Sequence, residues 1–175
     1  MKTEVLMSYL IFSDSHGTYK SMKAVIDRTP DKIDGVIFLG DVYSDIENIE
    51  EAYPLLSVYA VAGNCDFGLK FLSPIYQERM IDIDGVRVLI LHGHMQSVKS
   101  GTIELEAYAR RKDADVVLYG HTHERDNRYI GSGKKPLYVF NPGSVSRPRD
   151  GEPSFGVLTV KNGQVLLSHG NVYIR

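Results

Sequence analysis

The sequence predicts an α/β fold in which two mixed β-sheets pack into a β-sandwich flanked by α-helices. Three observations carry that prediction. Short apolar, β-branched runs alternate with segments of helical periodicity over the first 60 residues, a two-residue Asp-Gly turn then introduces antiparallel pairing, and the C-terminal third reads as strand after strand. Tyr9 to Phe12 is apolar and gives way to Ser13-Asp14-Ser15-His16-Gly17, after which Tyr19, Met22, Val25 and Ile26 recur at helical spacing. Val36 to Leu39 ends at Gly40-Asp41 and leads into Ile46, Ile49 and Ala52 on one helical face. Leu56 to Val61 is the third strand and ends at Gly63-Asn64-Cys65-Asp66.

Beyond Pro74 the pattern changes. Met80 to Ile83 and Val86 to Leu91 flank Asp84-Gly85, whose demand for positive φ suits an antiparallel hairpin, and the second arm runs straight into His92-Gly93-His94. Thr102 to Lys112 carries Ile103, Leu105, Tyr108 and Ala109 as a helix, closed by Arg110, Arg111 and Lys112 where the helix dipole favours cations. Val116 to Tyr119 is a buried strand ending at Gly120-His121-Thr122-His123. Tyr129-Ile130, Leu137 to Phe140, Phe155 to Val160 and Val165 to Ser168 complete the strands, with Asn162-Gly163 as the turn between the last two.

At 175 residues the chain is expected to form a single domain spanning 1–175. Lys and Arg number 20 against 22 Asp and Glu, a net charge of −2, which argues against a stable nucleic-acid partner and against a polybasic membrane anchor. The single cysteine, Cys65, excludes an intrachain disulfide and a Cys-only zinc site, and predicts a reducing, cytoplasmic setting. No stretch approaches the roughly 18 to 20 apolar residues of a membrane span. Met7 stands just before the first strand, so either Met1 or Met7 reads as the native start, with Met1 to Leu6 as an extension.

Five loops, each directly after a predicted strand, supply Asp14 and His16, then Asp41, Asn64, His92 (with His94), and His121 with His123. The C-terminal ends of parallel strands are where open α/β sheets place their ligands. The set is imidazole nitrogen and carboxylate or amide oxygen without thiolate, which suits divalent first-row metals. Seven candidates are too many for one tetrahedral ion but serve two, held roughly 3.5 to 4 Å apart, if one carboxylate bridges. Gly17, Gly40, Gly63, Gly93 and Gly120 adjoin them, as sharp turns at strand ends require.

In that order, D-S-H-G at 14–17, G-D at 40–41, G-N-C-D at 63–66, H-G-H at 92–94 and G-H-T-H at 120–123 resemble the calcineurin-like metallophosphoesterases over about Tyr9 to Val160. Short length and N-P-G-S at 141–144 make the chain most similar to the small single-domain prokaryotic phosphodiesterases, the branch to which the retromer phosphoesterase-like subunit is related. The resemblance implies the calcineurin-like phosphoesterase fold, with Asp14, His16 and His123 on one divalent ion, Asn64, His92 and His121 on a second, and Asp41 bridging. It further implies a metal-bridging hydroxide that attacks a small phosphodiester in line. Manganese is the first expectation, and nickel, iron, cobalt and zinc suit the same ligands. A homo-oligomer, dimer or tetramer, is expected by the same resemblance. The alternative is a non-catalytic protein-interaction scaffold on this fold, as the retromer subunit illustrates; that subunit's metal site is degraded, whereas every ligand position here is filled.

The expected catalytic residues are Asn64, Cys65, Asp66 and His94. Many family members carry histidine at the position of Cys65 and use it to protonate the leaving alcohol, so this chain is expected to lack a strong general acid. Packing is the plainer reading of Cys65, because free cysteine is among the most buried residue types. Asp66 is expected to bond a ligand histidine or cap a turn, and His94 to contact phosphate, orient His92 or lie on the surface. Arg147 and Arg149 read first as solvated loop charges and second as anion binders. Tyr19 reads as core or as pocket lining, and His169 as structural or exposed.

Overall fold

A computed structural model describes residues 6–29 and 32–173. Its strands are β1 (Leu6–Phe12), β2 (Gly35–Phe38), β3 (Ser57–Ala60), β4 (Glu78–Ile83), β5 (Val86–Leu91), β6 (Val116–Leu118), β7 (Arg125–Ile130), β8 (Leu137–Pro142), β9 (Ser154–Lys161) and β10 (Gln164–Asn171). They form two five-stranded mixed sheets, ordered β10-β9-β1-β2-β3 and β4-β5-β6-β8-β7. In the first sheet β1, β2 and β3 run parallel, and in the second β5, β6 and β8 do. The Asp84-Gly85 turn joins β4 to β5, pairing Ile83 with Val86.

The sandwich core lies between the sheets, where Tyr9, Ile11, Ile37 and Leu39 of the first meet Val88, Ile90, Leu118 and Phe140 of the second. The other face of the first sheet is equally apolar. Leu10, Phe12, Val36 and Phe38 receive Met22, Val25 and Ile26 from helix α1 (Tyr19–Arg28) and Ile46 and Ile49 from helix α2 (Tyr43–Ala52). Central strands buried on both faces read as unbroken apolar runs, which is why they were legible in the sequence.

Other elements differ from expectation. Pro74–Gln77 forms a single helical turn, α3, and 3-10 turns occupy Leu69–Leu72, His94–Gln96 and Val98–Ser100, all too short to show periodicity. Strand β7 extends back to Arg125; its Arg-Asp-Asn-Arg opening hid it, because an edge strand exposed along one side needs few apolar residues. Helix α4 (Ile103–Arg111) buries Leu105 and Ala109 against Leu89, Val117 and Val139, while Ile103 is 83% exposed and Ala52 of α2 also faces solvent. Met7, expected just before the first strand, lies inside β1 and pairs with Val160, and Leu6 of the expected Met1-to-Leu6 extension pairs with Lys161; residues 1–5 lie outside the described residues. Among the described residues no helix is long and apolar enough to cross a membrane.

The parallel strands of both sheets deliver their C-terminal ends to one edge of the sandwich. Pairing continues past the strands through Asp14 N–H to Gly40 O (2.9 Å) and Gly120 N–H to His92 O (3.0 Å). The two sheets are tied there by Val145 N–H to Ser13 O (3.3 Å).

Candidate metal centre

The loops after β1, β2 and β6 bring Asp14, His16, Asp41 and His123 together so that one ligand atom from each lies within 4.8 Å of all the others. His123 Nε2 is 3.2 Å from Asp14 Oδ1 and 3.2 Å from His16 Nε2, and His16 Nε2 is 3.8 Å from Asp41 Oδ2. The loops after β3 and β5 build a second group. Asn64 Oδ1 stands 3.2 Å from His92 Nε2, which is 3.4 Å from Asp41 Oδ1, and the His121 ring lies 5.0 Å from that of His92. Asp41 thus faces one group with Oδ2 and the other with Oδ1.

The backbone reaches this arrangement at a cost. Asp14, His16, Asp41, His121 and His123 all have φ between 46° and 69°, in the left-handed region that side chains disfavour. At about 1 kcal/mol or more each, five such residues approach the scale of a domain's whole net stability of about 5–15 kcal/mol, so the surroundings must hold them in place. They do so with buried hydrogen bonds. Ser13 Oγ and the His121 N–H donate to Asp14 Oδ2 (2.6 and 3.1 Å), and the Ser144 and Ser146 hydroxyls donate to Asp14 O (2.8 and 3.1 Å). Asp45, buried at the start of α2, accepts from Gly17 N–H (2.8 Å), and Asp66 accepts from Gly63 N–H (2.7 Å) and Tyr43 N–H (2.6 Å). Asp66 therefore clamps the loop after β3 to the first turn of α2, with no ligand histidine among its partners.

Glycine is dictated by close approach at Gly63, where a Cβ would stand 2.1 Å from Asp41 Oδ1. Gly63→Ala is expected to displace the Asp41 carboxylate, to cost about 1–3 kcal/mol by overpacking, and to weaken metal binding by about 10-fold or more. Calorimetric titration of the purified variant with Mn²⁺ checks it, and wild-type affinity would contradict the placement.

The donor set fits a cation. Asp14 Oδ1 is buried and accepts no hydrogen bond of good geometry. His123 Nδ1 donates to Arg147 O (2.7 Å) and His92 Nδ1 to Leu39 O (2.7 Å), so each ring in its neutral form turns an Nε2 lone pair toward the carboxylates. Acceptors face acceptors across the centre, and only a proton or a metal relieves that. Without metal, the Asp14 contact holds His123 above the usual imidazole value, ahead of the opposing effect of burial. Burial, reinforced by the charges of His92 and Lys99, pushes His121 down to about 4. Burial likewise keeps His16 low. Burial raises Asp14 most, yet the approach of His123 and the nearby imidazole charges hold it below the ordinary carboxylate range.

Around the candidate ligands opens a cleft of 410 Å³ lined by Cys65, Lys99, Arg147 and Arg149 as well as by His16, Asp41, Asn64, His121 and His123. Cys65 is exposed, which corrects the expectation that it packs. Partial desolvation at the cleft wall, ahead of the Asp41 charge, pushes its thiol up to about 11. Alkylation of the metal-free protein by iodoacetamide at pH 7.5 is therefore expected to run about 100-fold slower than that of a free cysteine and to accelerate towards pH 11; a rate matching free cysteine would contradict this. Arg147 and Arg149 belong to the cleft and are not merely loop charges. His94 packs its ring 5.4 Å from that of His92 and holds a buried, unpartnered Nδ1 beside a second, 210 Å³ hollow. Tyr19 packs against the α1 side of the first sheet, away from the cleft, and His169 stacks on Phe140 and bonds Asn141 O (2.8 Å), a structural role. Asp45 and Lys99 carry no sequence signal, whereas Ser13 stands directly before the aspartate of the first motif and Ser144 closes the N-P-G-S run, with only their hydrogen-bond partners hidden.

Residues 7–163 match the family described as the Calcineurin-like phosphoesterase superfamily domain. A Bacillus subtilis protein named a probable metallophosphoesterase is 32% identical over 158 residues, covering 89% of this chain and 86% of its own length. A phosphodiesterase of Methanocaldococcus jannaschii is 32% identical over 164 residues, covering 85% and 90%. Among solved structures, a predicted phosphoesterase from Streptococcus pneumoniae superposes with a TM-score of 0.76 at 23% identity, covering 97% of this chain and 92% of that one, a likeness of fold.

Proposed function

The chain belongs to the calcineurin-like phosphoesterase superfamily and is a metal-dependent phosphoesterase, and on that premise we propose that it hydrolyses small phosphodiesters with two divalent ions. Asp14, His16 and His123 would hold one ion, Asn64, His92 and His121 the other, and Asp41 would be shared. The observation that carries the proposal is the two-sided placement of Asp41, with Oδ2 toward His16 and Oδ1 toward His92. Manganese is the first ion to test, since nitrogen and oxygen ligands accept most first-row dications. Relatives named phosphodiesterases support the substrate class.

When bound, the ions supply an acidified water for in-line attack and neutralise charge gathering on phosphorus. The protein's own residues do the rest. Leu39 O and Arg147 O fix the tautomers of His92 and His123 so that both present Nε2 to the centre. Cys65 N–H donates to Asp41 Oδ1 (2.9 Å) and steadies the shared carboxylate. Asn64 offers an amide oxygen, a neutral ligand that adds no further negative charge. Asp66 works through the backbone it clamps, as a positioning residue. His94 backs His92 by ring contact, with its Nδ1 buried, and so acts through His92 as a positioning residue.

Cys65 stands at the cleft where a proton donor for the leaving alcohol would be needed, and a thiol near 11 donates poorly compared with an imidazolium. Cys65→His is expected to raise the turnover of alkyl diesters relative to nitrophenyl diesters by about 10-fold or more, since positioned acids contribute about 10²–10⁴. Parallel assays of the two ester classes check it; an unchanged ratio counts against the missing acid. The proposal itself is tested by hydrolysis of bis-p-nitrophenyl phosphate with Mn²⁺ before and after chelation. Absence of turnover with every divalent ion would favour the scaffold reading instead.

A further inference from the structure

The cleft holds more positive charge than a simple diester uses. Arg147 and Arg149 rise from the loop after β8 and act on His16 and His123, and Lys99 lines the same cleft and acts on His121. Among the described residues no ion pair or hydrogen bond engages the charged head of any of the three. Several cations elsewhere are matched in ion pairs: Arg128 lies between Glu106 and Asp126, and Lys135 between Asp113 and Asp115. The arginine loop is also held firmly. Arg147 N–H donates to Ser144 Oγ (2.8 Å), Arg147 O receives His123 Nδ1 (2.7 Å), and Arg149 N–H donates to His123 O (3.0 Å). The backbone of both arginines is thereby anchored at the rim by the same residue that is the candidate ligand, and their exposed guanidiniums stay available to a ligand.

Two dications against Asp14 and Asp41 leave a net of about +2, which a monoanionic diester and its nucleophile largely cancel. The three surplus cations then face no anion, in a cleft whose walls strengthen their field. A phosphate monoester, at about −1.5 to −2 near neutral pH, matches them, and paired guanidiniums are the residues best shaped to grip it.

We propose that the preferred substrate is a phosphodiester that carries a second anionic group of the phosphate-monoester class, gripped by Arg147 and Arg149 with Lys99 adding positive charge in the same cleft. This rests on the phosphodiesterase reading above. The test compares the p-nitrophenyl ester of thymidine 5′-phosphate with the same compound phosphorylated at the 3′ position, so that leaving group and scissile bond are identical. With Mn²⁺ at low ionic strength, kcat/KM is expected to be about 10-fold or more higher for the 3′-phosphorylated probe, mainly through KM, and the advantage should shrink with salt. In the R147Q/R149Q double variant the ratio should fall towards one. Equal kcat/KM values for the wild type, or a preference that the double variant retains, would overturn the proposal. Calorimetric binding of adenosine 3′,5′-bisphosphate against adenosine 5′-monophosphate, with Mn²⁺ present, separates the two readings. Tighter binding of the bisphosphate, lost in the double variant, without hydrolysis of either ester would uphold the anion subsite and sink the phosphodiesterase. Hydrolysis of both esters at equal rates with equal nucleotide binding would do the reverse.

Discussion

Asp41→Asn is expected to lower diester hydrolysis by more than about 100-fold while the chain stays folded. The change keeps shape and size in a buried position and one oxygen for the Cys65 N–H, but removes the charge that both candidate metal groups share. Losing an outer partner of a metal ligand typically costs 10–100-fold in affinity or activity, so losing the shared carboxylate costs more. Without metal, Asp41 is a buried carboxylate close to Asp14, and the metal-free variant should melt no lower than the metal-free wild type. Steady-state assays and circular dichroism melts check both halves. A fully active variant would remove Asp41 from the centre.

The second large effect is thermal. Metal binds only the folded arrangement, so saturation at 100 times Kd adds about 2.7 kcal/mol per site, roughly 5 kcal/mol for two. At about 2–4 °C per kcal/mol for a chain of this size, Mn²⁺ should raise Tm by about 10 °C or more, and chelation should reverse it. The strained residues explain why the effect belongs here. Five left-handed candidate ligand positions and acceptors facing acceptors leave the metal-free centre with strain and repulsion that a bound cation offsets. Scanning calorimetry with and without chelator measures it, and a shift under about 2 °C at saturating Mn²⁺ would contradict two well-formed sites.

Much of this was legible beforehand because the fold leaves strong marks. Strands covered on both faces became apolar runs, and the seven candidate ligands converge because each follows such a run at the same end of the sandwich. What escaped lacks any period. Ser13, Ser144 and Asp45 are common polar residues whose importance lies in a buried partner distant in sequence, and only the folded chain pairs Ser144 with Asp14 or Asp45 with Gly17. Lys99 and the arginine pair sit on loops, where sequence cannot tell a cleft from open solvent. Cys65 departs from the buried habit of its residue type, since its loop leaves it exposed beside Asn64 at the cleft. Ile103 shows the same limit: helical spacing named it as core, yet the sheet takes Leu105 and Ala109 instead.

The most direct measurement is a titration of metal-free protein with Mn²⁺, recording the initial rate of bis-p-nitrophenyl phosphate hydrolysis and the bound ions per chain at each addition. Two ions shared through Asp41 predict no hydrolysis in chelator and a rate that rises and levels off at about two ions per chain. Hydrolysis that persists in chelator, or a protein that binds two ions and hydrolyses nothing, would contradict it.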